Sequence, residues 1–170
     1  MSLIDFGKIK CLAYDFDGVM TDNRVFVTED GREGVFCNRS DGLAVSEFRK
    51  KGFYQVIVST ETNTVVEARA RKMSIDIIHS VKDKGEALRS ICYEKGFGFD
   101  EVLYIGNDVN DIPAFNVAGT TGCPGDAEKI IKEQADWVSD RNGGYGVIRS
   151  LYDDYLSYEK TKEERTIDNQ

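Results

Sequence analysis

The feature that most constrains the fold is a short apolar run that ends abruptly in acidic residues near the start of the chain. The run covers residues 10–14, and Asp15 and Asp17 follow it with one residue between them. Gly18 comes next and allows the chain to turn sharply behind the two acids. This pattern predicts a buried β-strand with two carboxylates at its carboxyl end. In an open α/β sheet, that end of the strand is where ligands bind.

The two acids can act together because side-chain alternation sends residues 15 and 17 to the same side of a strand. Two carboxylates held that close repel each other unless a positive group lies between or beside them. A hard divalent cation with oxygen ligands is the natural candidate. The alternative is a strand that ends in an acidic turn, and an Asp-x-Asp motif alone does not decide between the two.

The composition indicates an ordinary globular chain without a polyanionic partner. A length of 170 residues is enough for one domain with a proper core. The chain has 22 basic and 30 acidic residues, and this net charge of -8 argues against nucleic acid and anionic membranes as partners. A small anionic substrate stays open, because a bound cation can reverse the local field.

The cysteines and the terminal segment favour the cytoplasm. Cys11, Cys37, Cys92 and Cys123 are not paired at metal-ligand spacing, and we expect reduced thiols. No apolar run approaches the length of a membrane span. The first five residues lack the basic and apolar regions of a signal peptide.

Strand-like and helix-like segments alternate along the rest of the chain. Further strands are predicted at residues 53–58, 75–78, 102–105, 117–121 and 137–138, and helices at residues 64–72, 83–95, 126–134 and 147–158. A helix of about ten residues, which Ser40 or Asp41 can cap, is predicted to end near residue 51. The alternation predicts an α/β fold, a Rossmann-like parallel sheet with helices on both faces. We expect a single domain over residues 1–158 and a polar, frayed tail over residues 159–170.

A hairpin is predicted where a βαβ unit should pass directly into its helix. Residues 24–28 and 34–37 resemble two short strands, and the Asp30-Gly31 pair between them is a strong hairpin signal. The hairpin is apolar on both faces, and a lone two-stranded hairpin is marginal in water. It therefore needs a covering surface, and we expect a homo-oligomer.

Polar groups follow four of the predicted strand ends, which a parallel sheet brings to one edge. They are Asp15 with Asp17, Ser59, Lys84, and the cluster Asn107, Asp108 and Asp111. This set suits the handling of a phosphoryl group. Asp15 can attack phosphorus, and Asp17 can protonate the leaving oxygen and later activate water. Ser59 and Lys84 can hold the phosphoryl oxygens, while the second acidic cluster helps to bind Mg²⁺.

These motifs resemble, in the same order, the four motifs of the haloacid dehalogenase superfamily, over residues 10–156. The hairpin insertion is similar to that of the branch without a cap domain. That branch contains phosphatases of eight- and nine-carbon keto-deoxy sugar acids and the C-terminal domains of some CMP-sialate synthetases. The branch is also matched at Arg39-Ser40-Asp41-Gly42, at Asp83-Lys84 and at residues 143–149.

The resemblance implies a cofactor, an assembly and a substrate class. Mg²⁺ is expected on the Asp15 carboxylate, the Asp17 backbone carbonyl and a side chain of the fourth motif. The hairpins are expected to pack around the axis of a homotetramer, and neighbouring subunits to complete the active sites. The substrate is expected to be a small sugar phosphate.

The chain departs from the branch at two places. Asn107 stands where the phosphatases usually carry aspartate, so the metal ligand is either Asn107 or Asp108. Glu61 stands where the eight-carbon enzymes usually carry arginine, and together with Lys72 it resembles the nine-carbon branch. Thr60 and Arg39 complete the expected substrate-binding set. Glu61 can also be a solvated loop acid, and Lys72 can simply favour the helix macrodipole.

Two other functional classes remain open. One is a catalytically weak oligomerisation module like the fused domain of a synthetase, which Asn107 favours. The other is a phosphoacceptor receiver domain. The hairpin and the Asp-x-Asp spacing argue against this class. The intact Asp15, Asp17 and Lys84 favour a Mg²⁺-dependent sugar phosphatase.

Overall fold

A six-stranded, all-parallel sheet forms the centre of the computed structural model, which describes residues 4–62 and 64–167. The strands of this sheet are β1 (Cys11–Tyr14), β4 (Tyr54–Val58), β5 (Asp76–Ile78), β6 (Val102–Ile105), β7 (Thr120–Cys123) and β8 (Trp137–Val138). Their order is β5-β4-β1-β6-β7-β8. The short strands β2 (Phe26–Val27) and β3 (Glu33–Gly34) form a separate antiparallel hairpin.

Helices cover both faces of the sheet, which confirms the expected fold class. They are α1 (Arg39–Lys50), α2 (Thr64–Met73), α3 (Lys84–Lys95), α4 (Ile112–Phe115), α5 (Lys129–Lys132) and α6 (Val147–Ile167). Leu12 and Tyr14 of β1 pack on the core beneath α1 and α6. Cys11 and Ala13, which alternate with them, pack on the opposite core beneath α3. All four residues are fully buried, as expected for a central parallel strand.

The chain reverses its direction of travel across the sheet at β1. From β1 it moves outward to β4 and β5, and it then returns to place β6 on the other side of β1. Tyr14 is in register with Ile57 on one side and Ile105 on the other. The loops after β1 and β6 therefore face each other across a crevice, which is the ligand-binding position of open α/β sheets.

The hairpin is shorter than predicted. Pairing joins Phe26 to Gly34 and Val27 to Glu33, and a single bridge joins Thr21 to Cys37. The predicted strands over residues 24–28 and 34–37 are therefore wrong in length, and the second also begins one residue earlier than predicted. Apolar character alone indicated those bounds, whereas hydrogen-bonded pairing sets the observed ones.

Several helix boundaries also differ from the prediction. Asn38 caps α1 by accepting a hydrogen bond from the Ser40 backbone N–H at 2.9 Å, although Ser40 or Asp41 was expected to be the cap. The last helix was predicted to end at residue 158, yet α6 continues to Ile167 through residues described above as a tail. Residues 168–170 of that predicted tail lie outside the described residues.

The later segments shift as well. The strand predicted at residues 117–121 lies at Thr120–Cys123, and the helix predicted at residues 126–134 is limited to Lys129–Lys132. All four cysteines are free thiols. Within residues 4–62 and 64–167, no helix has the length and apolar character needed to cross a bilayer.

Candidate active site

A cleft of about 330 Å³ opens at the carboxyl edge of the sheet, at the crevice between the β1 and β6 loops. Its lining residues are Asp15, Asp17, Asn23, Ser59, Thr60, Glu61, Asn107, Asp108, Val109 and Asn110. The topology thus brings together seven of the residues that the sequence analysis assigned to the site.

Asp15 lies at the floor of this cleft, directly after β1. Its backbone N–H donates to the carbonyl of Ile105 at 2.8 Å, which extends the pairing of β1 and β6 by one residue. Its Oδ1 accepts a hydrogen bond from the Phe16 backbone N–H at 2.7 Å. Burial and the negative charge of Asp111 raise the pKa of Asp15 to about 7, although Lys84 opposes both effects.

Lys84 is a buried ammonium group that bridges two carboxylates. Its Nζ lies 2.8 Å from Asp15 Oδ1 and 2.7 Å from Asp111 Oδ1. Burial by itself would lower the pKa of Lys84, but attraction to the two carboxylates outweighs it and the pKa is raised. Lys84 is therefore a fixed positive charge that orients Asp15 from beneath the cleft.

Asp111 holds this charge network and the β6 loop together. Its Oδ1 accepts from Lys84 and, at 2.7 Å, from the Tyr104 hydroxyl. Its Oδ2 accepts from the backbone N–H groups of Asn107 at 2.8 Å and Asp108 at 3.2 Å. Four donors thus converge on one fully buried carboxylate. Asp111 is a positioning residue rather than a lining residue of the cleft.

Asp17 lies at the mouth of the cleft and is only half-buried. The Thr21 hydroxyl donates to its Oδ1 at 3.2 Å and accepts from the Gly18 backbone N–H, also at 3.2 Å. Burial raises the pKa of Asp17, and the negative charge of the nearby Glu61 raises it further. The hydrogen bond from Thr21 acts in the opposite direction and lowers this pKa. A carboxyl group with a raised pKa in this position is suited to donate a proton and then accept one.

The Asn107 side chain closes the space between Asp15 and Asp17. The amide atom that faces these two residues, which is either the oxygen or the nitrogen, lies 3.2 Å from Asp15 Oδ2 and 2.9 Å from the Asp17 backbone carbonyl oxygen. With the amide oxygen in that place, three oxygens converge on one point. Adjacent oxygens around an octahedral Mg²⁺ lie about 3 Å apart, because its bonds are about 2.1 Å long. The donor set therefore fits a small divalent cation.

This oxygen set contains only one carboxylate. Across the described residues, no group of three or more His, Cys, Asp or Glu side chains is placed to hold a metal ion. Asp108, the alternative ligand, instead accepts a hydrogen bond from the Val109 backbone N–H at 2.6 Å and caps a short 3₁₀ turn. The geometry therefore favours Asn107 over Asp108 as the side chain that faces the cation position.

Ser59 directly follows β4, on the wall of the cleft opposite the β6 loop. Its hydroxyl accepts from the Glu61 backbone N–H at 3.1 Å, and its backbone N–H donates to the Ile78 carbonyl at 2.9 Å. These bonds fix the loop that carries Thr60 and Glu61 against the end of β5. Both of those residues line the cleft.

A second cavity of about 270 Å³ adjoins the first and shares Asp17, Asn23 and Glu61 with it. The rest of its lining comes from Phe16, the hairpin and the start of α2: Arg24, Val25, Glu33, Val35, Val65 and Val66. Together the two cavities form a groove that runs from the acidic pair to the base of the hairpin.

Two predicted substrate-binding residues are not among the described residues that line either cavity. Arg39 lies in the first turn of α1 and Lys72 in the last turn of α2, and both are exposed. Neither lines the groove formed by the two cavities.

Sequence reasoning gave no role to two residues that position the site, because Thr21 holds Asp17 and the Tyr104 hydroxyl donates to Asp111. It assigned a third, Asp111, to metal binding, whereas the structure makes it the acceptor that holds Lys84. The signal for Tyr104 was present, because a tyrosine in a fully buried strand needs a partner for its hydroxyl.

The sheet order and the acidic pair after β1 define a Rossmann-like α/β protein with a site at the switch point. The sequence model of the haloacid dehalogenase-like hydrolases matches residues 44–151, and the chain belongs to this family. The matched stretch includes Ser59, Lys84 and Asn107, and it begins after Asp15 and Asp17.

Sequence relatives fall into two groups. The chain is 26% identical over 164 residues to N-acylneuraminate cytidylyltransferase A of Danio rerio, covering 91% of this chain and 38% of the relative. It is 27% identical over 147 residues to a 3-deoxy-D-manno-octulosonate 8-phosphate phosphatase of Haemophilus influenzae, covering 86% of this chain and 82% of the relative. The chain thus spans only a little over a third of the cytidylyltransferase. The family and the second group support the expectation of a phosphatase.

Solved structures agree with this family. A HAD family hydrolase from Streptomyces avermitilis is 42% identical with a TM-score of 0.86, covering 88% of this chain and 86% of that one. The cobalt-bound deoxy-D-mannose-octulosonate 8-phosphate phosphatase of H. influenzae is 25% identical with a TM-score of 0.85, covering 89% and 90%. The cobalt in that neighbour supports a divalent cation as the cofactor type.

Proposed function

We propose that the protein is a Mg²⁺-dependent phosphatase that hydrolyses the phosphate monoester of a keto-deoxy sugar acid. The observation that carries the proposal is the pairing of two differently held carboxylates at one cleft. Asp15 is buried and forms an ion pair with Lys84, whereas Asp17 lies at the mouth of the cleft and has a raised pKa. Two carboxyl groups in such different environments suit a nucleophile and a general acid, respectively.

In the proposed reaction, a carboxylate oxygen of Asp15 attacks phosphorus and the bond from phosphorus to the sugar oxygen breaks. Asp17 gives its proton to that leaving oxygen and becomes a carboxylate. Asp17 then takes a proton from water, whose oxygen attacks the aspartyl-phosphate. The bond between Asp15 and phosphorus breaks, so that inorganic phosphate leaves and both acids return to their starting states.

The remaining residues hold charge and orientation in this scheme. Lys84 orients Asp15 through its 2.8 Å contact, and Ser59 with Thr60 receives the phosphoryl oxygens on the opposite wall. The Asp15 carboxylate, the Asp17 carbonyl and the Asn107 amide oxygen would hold Mg²⁺. When bound, Mg²⁺ neutralises phosphoryl charge and so allows an anionic substrate to approach an acidic cleft.

We propose a nine-carbon keto-deoxy acid 9-phosphate as the preferred substrate, over the eight-carbon 8-phosphate. Glu61 lines both cavities and lies two residues after Ser59, which we propose as a phosphate-binding residue. A carboxylate there accepts hydrogen bonds from sugar hydroxyls, whereas an arginine would favour a sugar carboxylate. The apolar walls from Val25, Val35 and Val65 suit the carbon faces of a sugar.

The proposed assembly is a homotetramer in the cytoplasm. The hairpin exposes Val25, Phe26, Val27 and Phe36, with the last 73% accessible, and burial of these side chains favours association. Because Arg39 and Lys72 do not line the groove of their own subunit, we place them at the groove of a neighbour. The four free cysteines are consistent with a reducing compartment.

A second candidate function is that of a catalytically weak oligomerisation module. It is favoured by Asn107 at the cation position and by the 26% identity to a cytidylyltransferase. This candidate keeps the exposed hairpin but does not require turnover.

A phosphate-release assay distinguishes the two. Purified protein is tested on eight- and nine-carbon keto-deoxy acid phosphates, with Mg²⁺ or with EDTA, and Asp15→Asn protein of unchanged fold is the matched control. The phosphatase predicts Mg²⁺-dependent release that is lost in Asp15→Asn. Absence of release from every sugar phosphate, or equal release by Asp15→Asn, would overturn the phosphatase.

A further inference from the structure

The Asn107 amide is held in one place but can present either of its two atoms. The residue is 8% exposed, and its side chain lies against Gly18. A Cβ at Gly18 would come within 2.1 Å of Nδ2 and 2.5 Å of Cγ of Asn107, so only glycine leaves room for the amide. The positive φ of 80° at Gly18 also favours glycine there. The remaining freedom of the amide is a half-turn that exchanges its oxygen and nitrogen.

The two orientations of the amide place different atoms against Asp15 Oδ2 and the Asp17 carbonyl oxygen. With the oxygen inward, Asp15 Oδ2 and the Asp17 carbonyl face a third oxygen and no hydrogen lies between them. With Nδ2 inward, the amide donates to Asp15 Oδ2 at 3.2 Å and to the Asp17 carbonyl at 2.9 Å. The first arrangement needs a cation, and the second satisfies the oxygens without one.

We infer that Asn107 is a two-position ligand, which closes the cation-free site with two hydrogen bonds and rotates to coordinate a divalent cation. The inference rests on the cation site of the proposed function. An aspartate in this position has no donor for the cation-free state, and its charge would lie about 3 Å from Asp15. Asparagine thus stabilises the cation-free protein and weakens cation binding.

The inference predicts opposite changes in two measurements that involve no turnover. Asn107→Asp should lower the melting temperature in EDTA, because the two hydrogen bonds are lost and two carboxylates face each other. It should also tighten binding of Mg²⁺ and Mn²⁺ by roughly tenfold or more, because the ligand gains a charge and no longer has to break hydrogen bonds. The increase in melting temperature on adding cation should therefore be larger in the variant than in the wild type.

The experiment uses the full chain, stripped with EDTA and dialysed, with thermal unfolding and calorimetric titration of MgCl₂ and MnCl₂. Asn116→Asp is the matched control, because Asn116 is exposed, lines neither cavity and receives the same added charge. We expect less than about a threefold change in affinity for this control, since an exposed charge is screened. In ¹⁵N spectra, the Asn107 side-chain signals of the wild type should move on cation addition.

Equal melting temperatures and equal affinities in Asn107→Asp and wild type would overturn the inference. Equal effects of Asn116→Asp and Asn107→Asp would overturn it too, because they would reflect general charge rather than the amide. A wild type that responds to neither cation would also refute it. Failure of phosphate release alone would overturn the proposed function and leave this inference standing.

Discussion

Replacement of Asp111 by asparagine tests whether one buried carboxylate organises the site. The two side chains have nearly the same shape, so the change removes charge and acceptor capacity without creating a cavity. Asp111 accepts from Lys84 and Tyr104 through Oδ1 and from two backbone N–H groups through Oδ2. Asparagine has one acceptor atom, so its amide nitrogen must face one of these pairs of donors.

The magnitude follows from the donors left unsatisfied. Hydrogen bonds to charged groups contribute about 1.5–3 kcal/mol each, and two are lost. Lys84 keeps its contact with Asp15, and the repulsion between Asp15 and Asp111 is relieved, which reduces the total. We therefore expect the free energy of unfolding to fall by about 3–5 kcal/mol, the range for breaking a buried ion pair. For a chain of this size, that corresponds to a melting temperature roughly 6–20 °C lower.

Urea unfolding monitored by circular dichroism measures this change, with thermal unfolding as a second readout. Tyr104→Phe is the control, because it removes one donor and leaves Asp111 with three others. We expect it to cost about 1.5–3 kcal/mol, the contribution of a single hydrogen bond to a charged group. A loss below about 1 kcal/mol in Asp111→Asn, or an equal loss in both variants, would refute the role assigned to Asp111.

Three further predictions concern substrate choice, pH dependence and assembly. Glu61→Arg should shift the ratio of kcat/KM for nine- and eight-carbon substrates roughly ten- to a hundredfold towards the eight-carbon one, because a polar contact is worth about 1–3 kcal/mol. An unchanged ratio would exclude Glu61 from specificity. Burial raises the pKa of Asp41 from 3.8 to about 6, although hydrogen bonds from two backbone N–H groups at the start of α6 lower it. Its proton is therefore held more tightly in the folded state, and this stabilisation is complete below about pH 4 and lost as the pH rises to about 6. Relative to Asp41→Asn, the free energy of unfolding of the wild type should fall by about 2–3 kcal/mol between pH 3.5 and 7, and a constant difference in urea unfolding would contradict this. Finally, Phe26→Ser with Phe36→Ser should shift a tetramer towards smaller species in light scattering, because the side chains are 64% and 73% exposed in the single chain. A wild type that is monomeric at micromolar concentration would refute the assembly.

The sequence by itself determined the sheet and the location of the site. The buried strands could be identified because each is a short apolar run bounded by polar residues, as in Val102–Ile105. Asp15 and Asp17 could be placed at a strand end because the signal is entirely local. Parallel connections then force the polar strand ends to one edge, so the grouping of Ser59 with the acids followed without any contact being known.

Weak local signals account for the elements that were misplaced. Strand β7 reads Thr-Thr-Gly-Cys, which has little apolar character, and its position is set by pairing with β6. The end of α6 was predicted too early because a charged segment was interpreted as a tail. Glutamate and lysine are in fact good helix formers, so continuation of the helix is compatible with the composition.

Only the tertiary structure decided which polar residues face one another. Asp41 was a candidate cap for its own helix, yet its carboxylate accepts from the Arg149 backbone N–H, 108 residues away. Asn107 and Asp108 are adjacent in sequence, but the loop turns one towards Asp15 and the other towards Val109. Sequence spacing carries no information on such choices, because they depend on how separate elements pack. For the same reason, only the fold reveals that Asp111 holds Lys84 in place.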